Sequence, residues 1–153
     1  MQTIRIDLEI SIKADIQHVW NCLTQRSPEW WSADFYTSDR TKRFVIEAKA
    51  DGRMYEDYGN DEGLVWGNVI IIDGPRLLEI RGQLSPAFGG PAISFLRLEL
   101  KEDQGGTLLT LRDTVMGEVD DRNQQELSKG WSMIFGEGFK SFAEATISTQ
   151  KSA

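Results

Sequence analysis

Hydrophobic and polar residues alternate along much of this chain, and the period changes in a readable order. Ile4, Ile6, Leu8, Ile10 and Ile12 alternate with Arg5, Asp7, Glu9 and Ser11, which predicts a half-buried strand with one wet face. Ile16, Val19, Trp20 and Leu23 then follow helical spacing and predict a short amphipathic helix, with Asp15 near its start. Ser27-Pro28-Glu29 reads as the cap and first turn of a second short helix carrying Trp30 and Trp31. From Phe44 the period returns to two. Strands are expected around Phe44–Ala48, Gly52–Tyr58, Leu64–Ile72, Leu77–Leu84, Leu96–Lys101 and Thr107–Val115. Turn signals separate most of them: Asp51-Gly52, Asn60 to Gly63, Asp73-Gly74-Pro75 and Asp103 to Gly106. The stretch from Ser85 to Ala92, rich in Gly and Pro, reads as a loop.

The last third changes character. One long helix is expected from about Asp120 to Ser148, opened by Asp121 and Gln124 at capping-box spacing. Its stripe is Leu127, Trp131, Ile134, Phe135, Gly138, Phe142 and Ala145. Seven strands joined mostly by short turns imply an antiparallel meander. A single closing helix implies that the sheet wraps around it, an α+β architecture with room for a cavity. The chain shows no internal repeat, linker or low-complexity segment, so residues 1–153 read as one domain.

Composition narrows the function by exclusion. Net charge is -7, and no basic cluster offsets it locally, which argues against nucleic acid and anionic membrane surfaces as partners. No stretch approaches the roughly 20 apolar residues of a membrane span. The first residues lack a cationic segment followed by an apolar run, so a cytoplasmic location is expected. Cys22 is the only cysteine and His18 the only histidine. An intramolecular disulfide and a two-histidine metal site are therefore excluded. Cys22 is expected to be a small buried hydrophobe, and His18, off the main apolar stripe, a surface residue. No nucleotide, zinc or calcium motif is present, and Gly136-Glu137-Gly138 lies inside the helical pattern. No catalytic residue, metal or cofactor is assigned.

The order of elements and certain residues resemble the helix-grip fold of the START and birch-pollen-allergen superfamily. More narrowly, the chain resembles single-domain homologues of the C-terminal domain of the Hsp90 ATPase activator. The resemblance is carried by Ile16 to Leu23 and by Gly52-Arg53-Met54. It continues through Trp66-Gly67-Asn68-Val69 and Asp73 to Leu78, and ends with Gly130-Trp131, Phe135, Phe139 and Phe142 in the closing helix. It implies a curved antiparallel sheet around a long C-terminal helix, with two short helices after the first strand. The activator's additional N-terminal domain, which makes chaperone contacts, has no counterpart here, so chaperone activation is not expected.

Within such a fold Trp31, Phe35, Trp66, Phe95, Trp131 and Phe135 converge on one cavity, and Glu56 and Asp113 fall on inward strand positions. Asn68 joins them if Trp66 and Ile70 face in. A filled aromatic core is the competing reading. The helix glycines Gly130, Gly136 and Gly138 favour space, because each costs roughly 1 kcal/mol relative to alanine. The expected function is a non-enzymatic domain binding a small, largely apolar molecule, oriented by Glu56 or Asp113 beneath a lid at Ser85–Ala92. Two alternatives stay open: a protein-interaction or co-chaperone-like stress module, and a cyclase or hydrolase using a pocket carboxylate. Acidic residues at Asp57, Asp61 and Glu62, and at Glu118, Asp120 and Asp121, are assigned to solubility. Exposed strand edges leave room for a homodimer.

Overall fold

The computed structural model describes residues 1–147, so the expected helix end at Ser148 lies outside the described residues. Strand β1 spans Gln2–Ile12 and is followed by helices α1 (Ile16–Gln25) and α2 (Ser27–Trp30) and a 3-10 turn, Ala33–Phe35. Six strands follow: β2 (Arg43–Ile46), β3 (Arg53–Gly59), β4 (Glu62–Asp73), β5 (Leu77–Leu84), β6 (Ala92–Asp103) and β7 (Gly106–Gly117). The sheet order is β1-β7-β6-β5-β4-β3-β2, with every pair antiparallel. Strands β2 to β7 form a meander, and β1 returns to its far edge beside β7. The sheet curves without closing around the C-terminal helix, which is the helix-grip arrangement.

Alternation decides which strand residues point inward. On β7 the buried positions are Thr107, Leu109, Leu111, Asp113, Val115 and Gly117. On β6 they include Leu96, Leu98 and Leu100. The strand joint at Asp103–Gly106 turns through Gln104 and Gly105, whose φ angles of 50° and 80° give the left-handed pair that a tight hairpin needs. Strand β4 breaks the period. Met54 pairs with Gly67 and Tyr55 with Val65, so Trp66 is the extra residue of a β-bulge. A second irregularity follows between Val69 and Ile71. Trp66 and Val69 therefore both serve the inner side, while Ile70 is exposed. Asn68 does not follow Trp66 inward. Its amide donates to the Asp51 carbonyl at 3.3 Å on an exposed surface. Gly67 is required at the bulge, because a Cβ there would stand 2.5 Å from the Arg81 carbonyl oxygen.

The closing helix is three segments in continuous right-handed backbone: α3 (Asp121–Trp131), a π-helical stretch (Ser132–Phe139) and α4 (Lys140–Ala145). Its cap is one residue earlier than expected. The Asp120 side chain accepts from Asn123 N–H and the Asn123 side chain accepts from Asp120 N–H, a reciprocal box in place of Asp121 and Gln124. The π stretch widens the turn and moves the apolar stripe. Ile134, Phe135, Phe139 and Ala143 are buried, whereas Gly138 and Ala145 are exposed. The start of α2 also differs. Ser27 does not cap it: its hydroxyl accepts from Ile46 N–H at 2.9 Å and ties α2 to β2.

Helix α1 packs its inner side against α4. Cys22 is buried as a free thiol. His18 is not a surface residue but is 3% exposed. Its Nε2–H donates to the Ala143 carbonyl at 2.8 Å, a satisfied core histidine joining the first and last helices. Three of the acidic residues near the β3–β4 turn and the helix start are engaged locally. Asp57 pairs with Arg43, Glu62 with Arg40, and Asp120 caps α3.

Candidate functional site

A cavity of about 280 Å³ opens between the closing helix and the inner face of β4 to β7. Its helix wall is Glu126, Leu127, Gly130, Trp131 and Ile134. Its sheet wall includes Trp66, Ile80, Leu96, Asp113 and Val115, and Trp31 and Phe35 close one end. The lining is mostly apolar with a few polar groups, the ordinary composition of a small-molecule pocket.

Asp113 is the one carboxylate on the inner phase of β7. Leu111 and Val115 flank it along the strand, and Ile6 and Leu96 stand opposite on the neighbouring strands. It is 3% exposed. Its Oδ2 accepts from Trp131 Nε1–H at 2.9 Å, while Oδ1 is buried without a partner. Burial pushes its pKa up to about 6, and the Trp131 hydrogen bond pulls weakly the other way. A second unpaired polar atom lies in the same wall system: Trp31 Nε1–H is buried without an acceptor. Trp31 sits where the chain leaves α2, and its ring stacks on Phe44 with centroids 3.6 Å apart and planes 9° apart. Its ring and that of Trp131 meet in a T-shaped pair with centroids 6.4 Å apart.

Glu56 takes a different place from the one expected. It is 1% exposed but does not line the cavity. Its carboxylate accepts from Thr37 N–H at 2.9 Å, from the Thr37 and Thr41 hydroxyls, and from Trp66 Nε1–H at 2.9 Å. It therefore anchors the segment before β2 to Trp66, whose ring does line the cavity, and has no oxygen unclaimed. Trp66 in turn meets Phe88 at 5.4 Å. Phe88 is at the tip of the β5–β6 loop, 40% exposed, and the same loop begins at the lining residue Leu84.

Of the residues expected at the cavity, Trp31, Phe35, Trp66, Asp113 and Trp131 line it. Phe95 does not. It falls in the same phase as Arg97 and opposite to Ser94 and Leu96, so the pleat turns it to the outer face. Phe135 does not either. It is buried behind the cavity among Trp30, Trp131 and Phe139, at 5.5, 5.7 and 5.8 Å. Ile134 takes the lining position one residue earlier, because the π stretch rotates the helix face. Gly130 was expected to leave space, and a Cβ there would meet nothing within 4 Å. The unpaired Trp31 Nε1 has no signal in the sequence, since any buried indole looks the same there.

Among the described residues no group of three His, Cys, Asp or Glu side chains converges as a metal site, and no helix is long and apolar enough to cross a membrane.

Residues 13–144 match the family model of the Activator of Hsp90 ATPase homolog 1-like protein, and the chain belongs to that family. None of the curated proteins matches it. Among solved structures it is similar to protein MLL2253 from Mesorhizobium loti, at 20% identity over 94% of this chain and 98% of that one, with a TM-score of 0.67. It is similar also to the protein of unknown function SA2116 from Staphylococcus aureus, at 16% identity over 99% and 98% of the two chains, TM-score 0.65. The Aha1 dimer from Colwellia psychrerythraea aligns at 14% identity over 94% and 96%, TM-score 0.61. At these identities the likeness establishes the helix-grip fold alone, and a fold of this kind hosts many functions.

Proposed function

We propose that this domain binds a small, largely apolar molecule in the cavity between sheet and closing helix, without chemically transforming it. The observation that carries the reading is the unpaired Asp113 Oδ1 of a residue in a mostly apolar lining. An unpaired buried carboxylate oxygen is unfavourable in the empty domain, and a ligand that pairs with it recovers that loss. Trp31, Phe35, Trp66 and Trp131 supply the apolar walls, Asp113 orients the guest, and the Ser85–Ala92 loop with Phe88 against Trp66 serves as the lid. The reading keeps the domain in the cytoplasm, where a free thiol such as Cys22 stays reduced. A homodimer through the sheet edges accompanies it, supported by the dimeric Aha1 relative.

The test uses N-phenyl-1-naphthylamine, a neutral apolar fluorophore, on the wild-type domain and on Gly130→Leu. The substitution places a side chain where the cavity is open. The reading predicts saturable one-to-one binding to the wild type and loss of binding in a Gly130→Leu protein with an unchanged circular dichroism spectrum. Equal binding by both proteins contradicts it.

A further inference from the structure

Two residues that line the cavity each carry a buried polar atom without a partner, and the two atoms have opposite needs. Trp31 Nε1–H is a donor without an acceptor, and Asp113 Oδ1 is an acceptor without a donor. Both residues line the cavity and both touch Trp131, one through a T-shaped ring contact and the other through its Nε1. Neither group is free to turn away. Stacking on Phe44 fixes the Trp31 indole, and the Trp131 hydrogen bond fixes the Asp113 carboxyl with Oδ1 left over. Two fixed groups in a mostly apolar surround form a preorganised recognition pair.

Ligand chemistries differ in how they meet this pair. A hydrocarbon leaves both atoms unpaired. An ammonium ion pairs with the carboxylate but offers the indole no lone pair. A carboxylate or phosphate accepts from the indole but is repelled by Asp113. A hydroxyl both donates and accepts through one atom and carries no charge into the apolar lining. Resting on the binding reading above, we infer that the ligand of this cavity is an uncharged apolar molecule bearing a hydroxyl, which donates to Asp113 Oδ1 and accepts from Trp31 Nε1. The apolar remainder lies against Trp66, Leu96, Val115 and Ile134.

The test is calorimetric titration at pH 7 with 2-naphthol and 2-methylnaphthalene, which differ by hydroxyl against methyl. The titrations use the wild type, Trp31→Phe and Asp113→Leu, each checked for native circular dichroism. Trp31→Phe keeps a ring to stack on Phe44 and removes the N–H together with the pyrrole half of the indole. The inference predicts that the wild type binds 2-naphthol at least about tenfold tighter than 2-methylnaphthalene. It predicts that Asp113→Leu abolishes this preference, and that Trp31→Phe lowers 2-naphthol affinity more than 2-methylnaphthalene affinity, since the lost wall area touches both probes and the lost N–H only the first. Equal wild-type affinities overturn the hydroxyl inference and leave apolar binding standing, the result expected if bound water satisfies both groups. Equal loss of both probes in Trp31→Phe also overturns it, by making Trp31 a wall only. Binding of neither probe overturns this inference and the reading it rests on.

Discussion

Asp113 on β7 and Glu56 on β3 are both buried carboxylates, separated in the sheet by β6, β5 and β4, and they do opposite things. Glu56 is surrounded by donors, whereas Asp113 has one donor and a hydrocarbon cage. Their substitutions should diverge accordingly. Glu56→Ala removes the acceptor of Trp66 Nε1, Thr37 N–H and the Thr41 hydroxyl, and is expected to destabilise by about 3–5 kcal/mol in urea unfolding. A loss under about 1 kcal/mol would contradict its anchoring role. For Asp113 the sign is reversed. Its pKa rises from 3.8 in the unfolded chain to about 6 in the fold, so the native state binds more protons between those values. Stability falls as pH rises through that window, and the penalty remains in full above it. About two pKa units correspond to about 3 kcal/mol. Asp113→Asn retains an oxygen for Trp131 and carries no charge. Urea unfolding should therefore show it gaining about 3 kcal/mol over the wild type between pH 4 and pH 7. A constant difference across that range would contradict the desolvated carboxylate.

At the scale of elements, the closing helix sets the site. Helix propensity favours alanine over glycine by about 1 kcal/mol, and neither Gly130 nor Gly136 has a neighbour in the way of a Cβ. Thermal unfolding should show both Gly130→Ala and Gly136→Ala raising stability. Only Gly130 lines the cavity beside Trp131, so only Gly130→Ala should also weaken uptake of an apolar probe. Equal effects on uptake would separate the cavity from the binding. The same helix marks what a sequence displays and what it withholds. Strict alternation on β1, β5 and β7 made the strands and the inward placement of Asp113 legible, because period two leaves no choice of face. The same rule, applied to Phe95 beside Arg97, assigns it outward, away from the cavity aromatics. The bulge at Trp66 and the π stretch at Ser132–Phe139 each insert one residue into a period. No local pattern announces them, so Asn68, Gly138 and Phe135 were displaced from their expected faces. His18 was misplaced for another reason: its partner is the Ala143 carbonyl, 125 residues away.

At the scale of the molecule, one core joins every layer. Buried residues of β1, α1, β2 and β5 to β7 meet Phe135, Phe139 and Ala143 of the closing helix in a single cluster. A single cooperative unfolding transition, coincident by far-ultraviolet circular dichroism and tryptophan fluorescence, is expected for residues 1–153 acting as one domain. Two separated transitions would contradict that. The cavity is a local departure from this packing, bounded by aromatic walls and lined by two residues whose buried polar atoms are unpaired. Close-packed interiors rarely leave such groups without partners. Native mass spectrometry of freshly purified protein, followed by denaturing extraction, tests this most directly. The account predicts a bound, uncharged, hydroxyl-bearing apolar molecule at near-unit occupancy that is absent from Gly130→Leu. A clean ligand-free mass for the wild type, indistinguishable in occupancy from Gly130→Leu, would contradict it.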